Sequence, residues 1–320
     1  MPLPERSLIQ RIRQLSGTFR SAQVALGIGD DAAILRLPKG REMLVTTDFS
    51  LEGVHFRRDW HPPESVGHRC LARGLSDIAA MGGDPVAAFL SLALPPKLPQ
   101  KWVDGFLRGL LALAGKSGVV LGGGDLAQSP KGILADVVVV GSVPVGQAIR
   151  RSGARPGDGI YVTGELGGSA GILETLYANP KRRLNPAKHP RHFYPEPRLA
   201  VAKYLRRRGI ASAMIDVSDG LSTDLHHLCE ASGVGAKISA QVIPLAAGVT
   251  LQQALHGGED YELLFTAPAS RLANRKIGKI AGIPVTCIGE IVRGNKLSIL
   301  NLSGGTILRP EGWEHFTSTR

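Results

Sequence analysis

Residues 213–231, AMIDVSDGLSTDLHHLCEA, read as a strand, a turn and a helix in immediate succession. Ala213–Val217 is a short apolar run of strand length, Ser218-Asp219-Gly220 supplies turn chemistry, and a helix is predicted over Leu221–Ala231. A strand feeding directly into a helix is the unit of an α/β-type domain, and the acidic turn between them marks where chemistry can be placed.

The same alternation extends outward in both directions. Upstream, Met43–Thr47 reads as a strand ending at Asp48. Pro62 opens a helical pattern through Val66, Leu71, Leu75 and Ile78 that Gly82-Gly83 stops. Strands are expected over Ala87–Leu94, Val119–Leu121 and Ile133–Val140, with a helix carrying Trp102, Phe106, Leu110 and Leu113. Further on, strands are expected at Ile160–Thr163, Tyr261–Thr266 and Thr286–Ile291, and helices at Ser169–Ala178 and Ser270–Ile280. The polar, Gly/Pro-rich stretch 144–159 is the expected boundary, which gives an N-terminal domain over 1–147 and a C-terminal domain over 148–320. The expected class is α/β with mixed sheets, in two domains.

The 320 residues are 43% hydrophobic and 20% charged, which excludes global disorder. Three cysteines without paired spacing exclude a disulfide framework and point to a reducing cytoplasm. The N-terminal MPLPERSLIQRIRQL lacks the apolar core of a signal peptide, and the most apolar stretch, Ile133–Val145, is interrupted by Asp136, Gly141 and Pro144. Neither a membrane nor a nucleic-acid partner is expected. The net charge of +11 is concentrated in residues 179–208, which hold ten Lys/Arg against the single acid Glu196. This proline-rich segment reads as a solvated loop leading into a helix, or as an attractor for a small anion.

Acidic residues recur beside glycine, serine and threonine: Gly29-Asp30-Asp31, Thr46-Thr47-Asp48, Ser76-Asp77, Gly123-Gly124-Asp125 and Asp216-Val217-Ser218-Asp219-Gly220. One such site is an ordinary cap or turn. Five brought together would repel unless they shared cations, and all-oxygen ligands select hard ions such as Mg²⁺. Carboxylate-held Mg²⁺ beside glycine backbone points to phosphate chemistry, although neither a P-loop nor the protein-kinase residue set is present. The turn Thr163–Ser169 enters a helix and offers one further place for an anion, or is a plain strand-to-helix turn.

Seven segments together resemble the thiamine-monophosphate kinase family of the aminoimidazole ribonucleotide synthetase superfamily. They are GIGDDAAIL (27–35), TTDFSLEGVHF (46–56), LSDIAAMGGDP (75–85), GGGD (122–125), RSGARPGD (151–158), DVSDGLSTDL (216–225) and GGEDYELLFT (257–266). The resemblance implies a two-domain aminoimidazole ribonucleotide synthetase-like architecture whose N-terminal domain forms a homodimer. It implies ATP as co-substrate, several Mg²⁺ ions, and γ-phosphoryl transfer to thiamine monophosphate, giving thiamine diphosphate. Carried over by position, Asp30, Thr46, Thr47, Asp48, Asp77, Asp125, Asp216 and Asp219 are the metal set. Gly124, Arg151 and Ser218 are the ATP contacts, and His55, Glu259 and Trp313 are the contacts to the thiamine compound. No general base is expected, because the acceptor phosphate is mostly dianionic at neutral pH. Two other functions remain open at this point: a ring-closing, ATP-dependent purine-precursor synthetase of the same superfamily, and a non-catalytic polyanion-binding protein using residues 179–208.

Overall fold

The computed structural model describes residues 1–17, 21–28, 32–272, 278–301 and 304–316. They form two compact units. The first comprises Met1–Ile78, Gly83–Gly146 and Asn179–Glu196, and the second comprises Ala79–Gly82, Gln147–Ala178 and Pro197–Arg320. Residues 179–196 therefore cluster with the first unit, a departure from the uninterrupted 148–320 domain expected above. Buried His192 and Phe193 are the reason. The Phe193 carbonyl accepts the Ser65 hydroxyl at 2.8 Å, and the His192 and Pro195 carbonyls accept Arg69 and His68.

In the first unit, helix α1 (Glu5–Ser16) precedes a short antiparallel pair, β1 (Val24–Leu26) and β2 (Ile34–Leu35). Strand β3 (Arg41–Leu51), helix α2 (Pro63–Ala80), β4 (Asp84–Leu94), α3 (Gln100–Ser117), β5 (Val120–Gln128) and β6 (Leu134–Pro144) follow. The four long strands make a mixed sheet in the order β3-β6-β4-β5, with β4 and β5 parallel. Leu71, Leu75 and Ile78 of α2 and Phe106, Leu107 and Leu110 of α3 are fully buried, as are Val137 and Val139 of β6. Alternation along β3 exposes Met43, Val45 and Phe49 on the other face.

In the second unit, β7 (Asp158–Thr163), helix α4 (Gly168–Ala178), β8 (Ala213–Val217), β9 (Gly235–Ser239), β10 (Glu262–Pro268), β11 (Lys279–Ile280), β12 (Ile283–Val292), β13 (Leu297–Asn301) and β14 (Gly304–Ile307) build an eight-stranded sheet. Its main path runs β14-β13-β9-β12-β7-β10-β8, with β11 paired to β12. Period-two alternation divides its side chains between two cores. Ile160, Val162, Ile215, Val217 and Leu264 join Leu221, Leu225 and Leu228 of helix Leu221–Ser232. Tyr161, Met214, Leu263 and Phe265 join Val201, Ala202 and Leu205 of helix Leu199–Arg207.

Three elements depart from the sequence expectation. β3 does not stop at Asp48, because Phe49, Ser50 and Leu51 continue the ladder opposite Asp136, Ala135 and Leu134. β5 runs straight through Gly122–Asp125, with a register shift in its pairing to β4. The helix expected over Ser270–Ile280 ends as a single turn, Ala269–Leu272, and Lys279–Ile280 is strand; residues 273–277 lie outside the described residues.

Candidate active site

In the first unit, Thr46 and Asp48 leave β3 on one face and Thr47 on the other. The Thr46 hydroxyl donates to Asp77 Oδ2, which α2 carries over the sheet. Asp48 sits beside this pair, and burial, followed by the charge of Asp77, pushes its carboxyl up to about 7; Arg73, whose Nε lies 3.8 Å from Asp48 Oδ1, opposes that shift. Thr47 instead donates its hydroxyl to Asp136 Oδ1 at 2.7 Å. Asp125 is exposed and shares a register row with Ser91, Asp136 and Phe49, so its row belongs with Thr47 rather than with Asp48. Gly124 adjoins it in β5, with φ at 151°. Asp30 lies outside the described residues.

His55 lines a small cavity with Ser50, Phe56, Val66, Arg69 and Arg73. Its Nδ1 accepts the Leu51 N–H at 3.0 Å, which assigns the proton of the neutral ring to Nε2 and makes that nitrogen a donor.

In the second unit, Asp216 is buried on β8, in register with Leu263, and Asp219 occupies the following turn. Three segments hold that turn. Asp224, from the first turn of helix Leu221–Ser232, accepts the N–H groups of Ser218, Asp219 and Gly220 on Oδ2, each at 3.1 Å. The Ser218 carbonyl accepts Glu259 N–H at 2.7 Å, and the Asp219 carbonyl accepts Trp313 N–H at 3.0 Å. Two glycines permit these approaches. A Cβ on Gly312 would stand 2.2 Å from the Asp219 carbonyl oxygen, and Gly220, with φ at 119°, would meet the His256 backbone at 2.9 Å. Glu259 and Tyr261 themselves adopt positive φ, 66° and 51°, a strained conformation for residues with side chains and one that recurs at functional sites.

Trp313 is tied down through its backbone while its side chain faces solvent: the residue is 54% exposed and its ring meets only His315 edge-on among the aromatic contacts of the described residues. The Arg151 carbonyl accepts the Ser232 hydroxyl at 2.9 Å, and the Arg150 carbonyl accepts Met214 N–H. Ser232 ends the helix that Asp219 precedes, whereas Met214 is two residues before Asp216, about 7 Å along β8. The Thr163–Ser169 turn has an internal anion: Asp260 accepts the Gly167 N–H at 2.6 Å.

Among the described residues, no three His, Cys, Asp or Glu side chains converge on one point. Mg²⁺ does not require such a cage, because it keeps waters and binds through one or two carboxylates together with substrate phosphates. The half-buried Asp48–Asp77 pair with the Thr46 hydroxyl is a donor set of that kind. Its mutual repulsion is what a hard cation relieves.

The chain matches the family model described as AIR synthase related protein, N-terminal domain, over residues 29–143, and the corresponding C-terminal domain model over 155–300. A thiamine-monophosphate kinase of Salmonella typhimurium is 40% identical over 309 residues, 91% of each chain. The protein belongs to the thiamine-monophosphate kinase family. The crystal structure of thiamine-monophosphate kinase from Stenotrophomonas maltophilia K279a superposes with a TM-score of 0.82 at 36% identity, covering 93% of this chain and 97% of that one. A structure described as AaThiL complexed with AMPPCP and TMP superposes with a TM-score of 0.77 at 33% identity, covering 99% of both.

For a member of the thiamine-monophosphate kinase family, three neighbours of the acidic residues escaped the sequence reading: Arg73, Asp136 and Asp224. Asp224 did carry a local signal, an acid in the first turn of a predicted helix. Arg73 precedes Asp77 by four residues on α2, the spacing that puts both on one helix face. Asp136 becomes meaningful only through the β3–β6 register.

Proposed function

We propose that the protein transfers the γ-phosphoryl group of ATP to thiamine monophosphate, giving thiamine diphosphate. The observation that carries this is the half-buried Asp48–Asp77 pair, in a chain that covers all but 1% of a relative complexed with AMPPCP and TMP. When bound, Mg²⁺ would neutralise phosphate charge between the two anionic substrates. In the first unit, Asp48, Asp77 and Thr46 would hold such ions; in the second unit, taken by itself, Asp216 and Asp219 would do so. Asp30 and Asp125 enter the set by resemblance, and the side chain of Thr47 is committed to Asp136. Gly124, Ser218 and the exposed Arg151 would contact ATP. His55 would donate from Nε2 to the thiamine compound, and Glu259 would hold it from the loop that braces Ser218.

No side chain has to remove a proton, since the attacking phosphate oxygen is already ionised. The chain's contribution is therefore to position two anions in line and to exclude water. Family membership displaces the purine-precursor synthetase reading. Two of the ten cations of the basic segment have structural tasks: Arg198 pairs with Glu262, and buried Arg206 donates to the Gly82 carbonyl at 2.7 Å.

Trp313 would place its exposed indole against the cationic thiazolium ring, a contact worth about 0.5–2 kcal/mol. Trp313→Ala is then expected to raise KM for thiamine monophosphate roughly 2- to 30-fold and leave KM for ATP unchanged, with Phe restoring most of the loss. Equal shifts in both KM values would make Trp313 a tail anchor.

A homodimer through the open face of β3 completes the proposal. Met43, Val45 and Phe49 are 50%, 62% and 54% exposed where an antiparallel strand facing water would carry polar groups. Val45→Asp should convert a dimer into a folded monomer in sedimentation velocity; an unchanged dimer removes this face from the interface. No helix is long and apolar enough to cross a membrane among the described residues. With all three cysteines free, a cytoplasmic location belongs to the same proposal.

A further inference from the structure

We infer that Asp224 is a positioning residue for the Ser218–Gly220 turn, holding the Asp219 carboxylate in place through the backbone rather than by touching substrate. Gly220, at the cap position of helix Leu221–Ser232, has no side chain with which to bond the first N–H groups. Asp224 takes over that task from inside the helix. One oxygen, Oδ2, collects three successive N–H groups at 3.1 Å, so the peptide units on both sides of Asp219 are fixed. The residue is 1% exposed, and water does not replace these bonds if they are lost.

The turn's carbonyls are taken by other segments, Ser218 by Glu259 and Asp219 by Trp313. Asp224 is the common acceptor for its N–H side. It thereby couples the aspartate turn to the loop and the tail proposed to contact the thiamine compound. This inference rests on Asp216 and Asp219 being metal carboxylates. It differs from that reading in assigning Asp224 a geometric task that requires an oxygen acceptor at one place, whatever its charge.

Two isosteric or near-isosteric variants separate position from charge. Asp224→Asn keeps an acceptor oxygen where Oδ2 lies and removes the charge. Asp224→Glu keeps the charge and moves the oxygens by one methylene. Amide hydrogen exchange at 218–220 reads the turn itself, and the Mg²⁺ concentration giving half-maximal turnover reads its consequence. The Asn variant should keep amide protection and a half-maximal Mg²⁺ concentration within about fivefold of the unaltered protein. The Glu variant should lose protection, require about tenfold more Mg²⁺, and turn over on the order of 10²-fold more slowly, as a 1 Å misplacement does. The reverse order, Glu active and Asn inactive with the amides protected in both, would make the charge essential and overturn the positioning role. Asp219→Asn serves as the separate control: if it leaves the Mg²⁺ requirement unchanged while the exchange results hold, the metal reading of the turn fails and the positioning result stands by itself.

Discussion

Asp48→Asn is expected to reduce kcat on the order of 10²- to 10³-fold, the scale of removing one electrostatic contact from a transition state, while the metal-free protein melts no lower than the unaltered one. Both effects have one cause. The carboxyl is partly buried beside Asp77, and that environment disfavours its charge. Asparagine keeps the size and an oxygen ligand but removes the repulsion, so the metal-free fold gains what the site loses. The pH dependence has a definite sign. Asp48 holds its proton more firmly in the folded chain, where its carboxyl is pushed up to about 7, than in the unfolded chain near 3.8. The resulting stabilisation of the protonated form is fully present below 3.8 and is lost as pH rises through about 7. Without Mg²⁺, melting temperature should therefore fall between pH 5 and pH 8, and Asp48→Asn should flatten that fall. A variant with normal kcat and a lowered melting temperature at every pH would show Asp48 to be structural.

The second large effect is on stability. Glu262 is wholly buried at the start of β10 and accepts a two-pronged bond from Arg198, with Nε at 2.6 Å. The Thr163 hydroxyl donates to the same carboxylate at 2.6 Å and accepts the Leu263 N–H at 2.8 Å. Removing either charged partner strands the other in the interior, at a cost of about 3–5 kcal/mol. At roughly 2–4 °C per kcal/mol for a unit of this size, Arg198→Ala or Glu262→Ala should lower the melting temperature by about 6–20 °C. A joint Arg198→Met/Glu262→Met exchange should recover part of this, because no charge is then left unpaired. Single variants that melt within a degree or two of the unaltered protein would show the pair to be dispensable.

Much of the fold was readable because most elements carry their own local signal. The strand–turn–helix at 213–232 and the glycine stop after α2 are examples. The acidic residues were readable for the same reason, each standing beside turn chemistry. What could not be read was which of them meet. Alternation alone puts Thr46 and Asp48 on one face of β3, but only the register with β6, which extends β3 past Asp48, brings Thr47 to Asp136 on the other. Arg198 and Glu262 lie 64 residues apart, and nothing local distinguishes Arg198 from the other cations of its segment. Arg151 showed another limit: its motif was legible, but its backbone partners, Ser232 at the far end of a helix and Met214 on β8, could not be read from it.

The central claim is tested by incubating the purified protein with MgATP and thiamine monophosphate and resolving the products by chromatography. The expected result is thiamine diphosphate formed in equal amount with ADP, dependent on Mg²⁺ and slowed on the order of 10²- to 10³-fold in Asp48→Asn. Formation of ADP without thiamine diphosphate, or no consumption of either substrate by the folded protein, would contradict it.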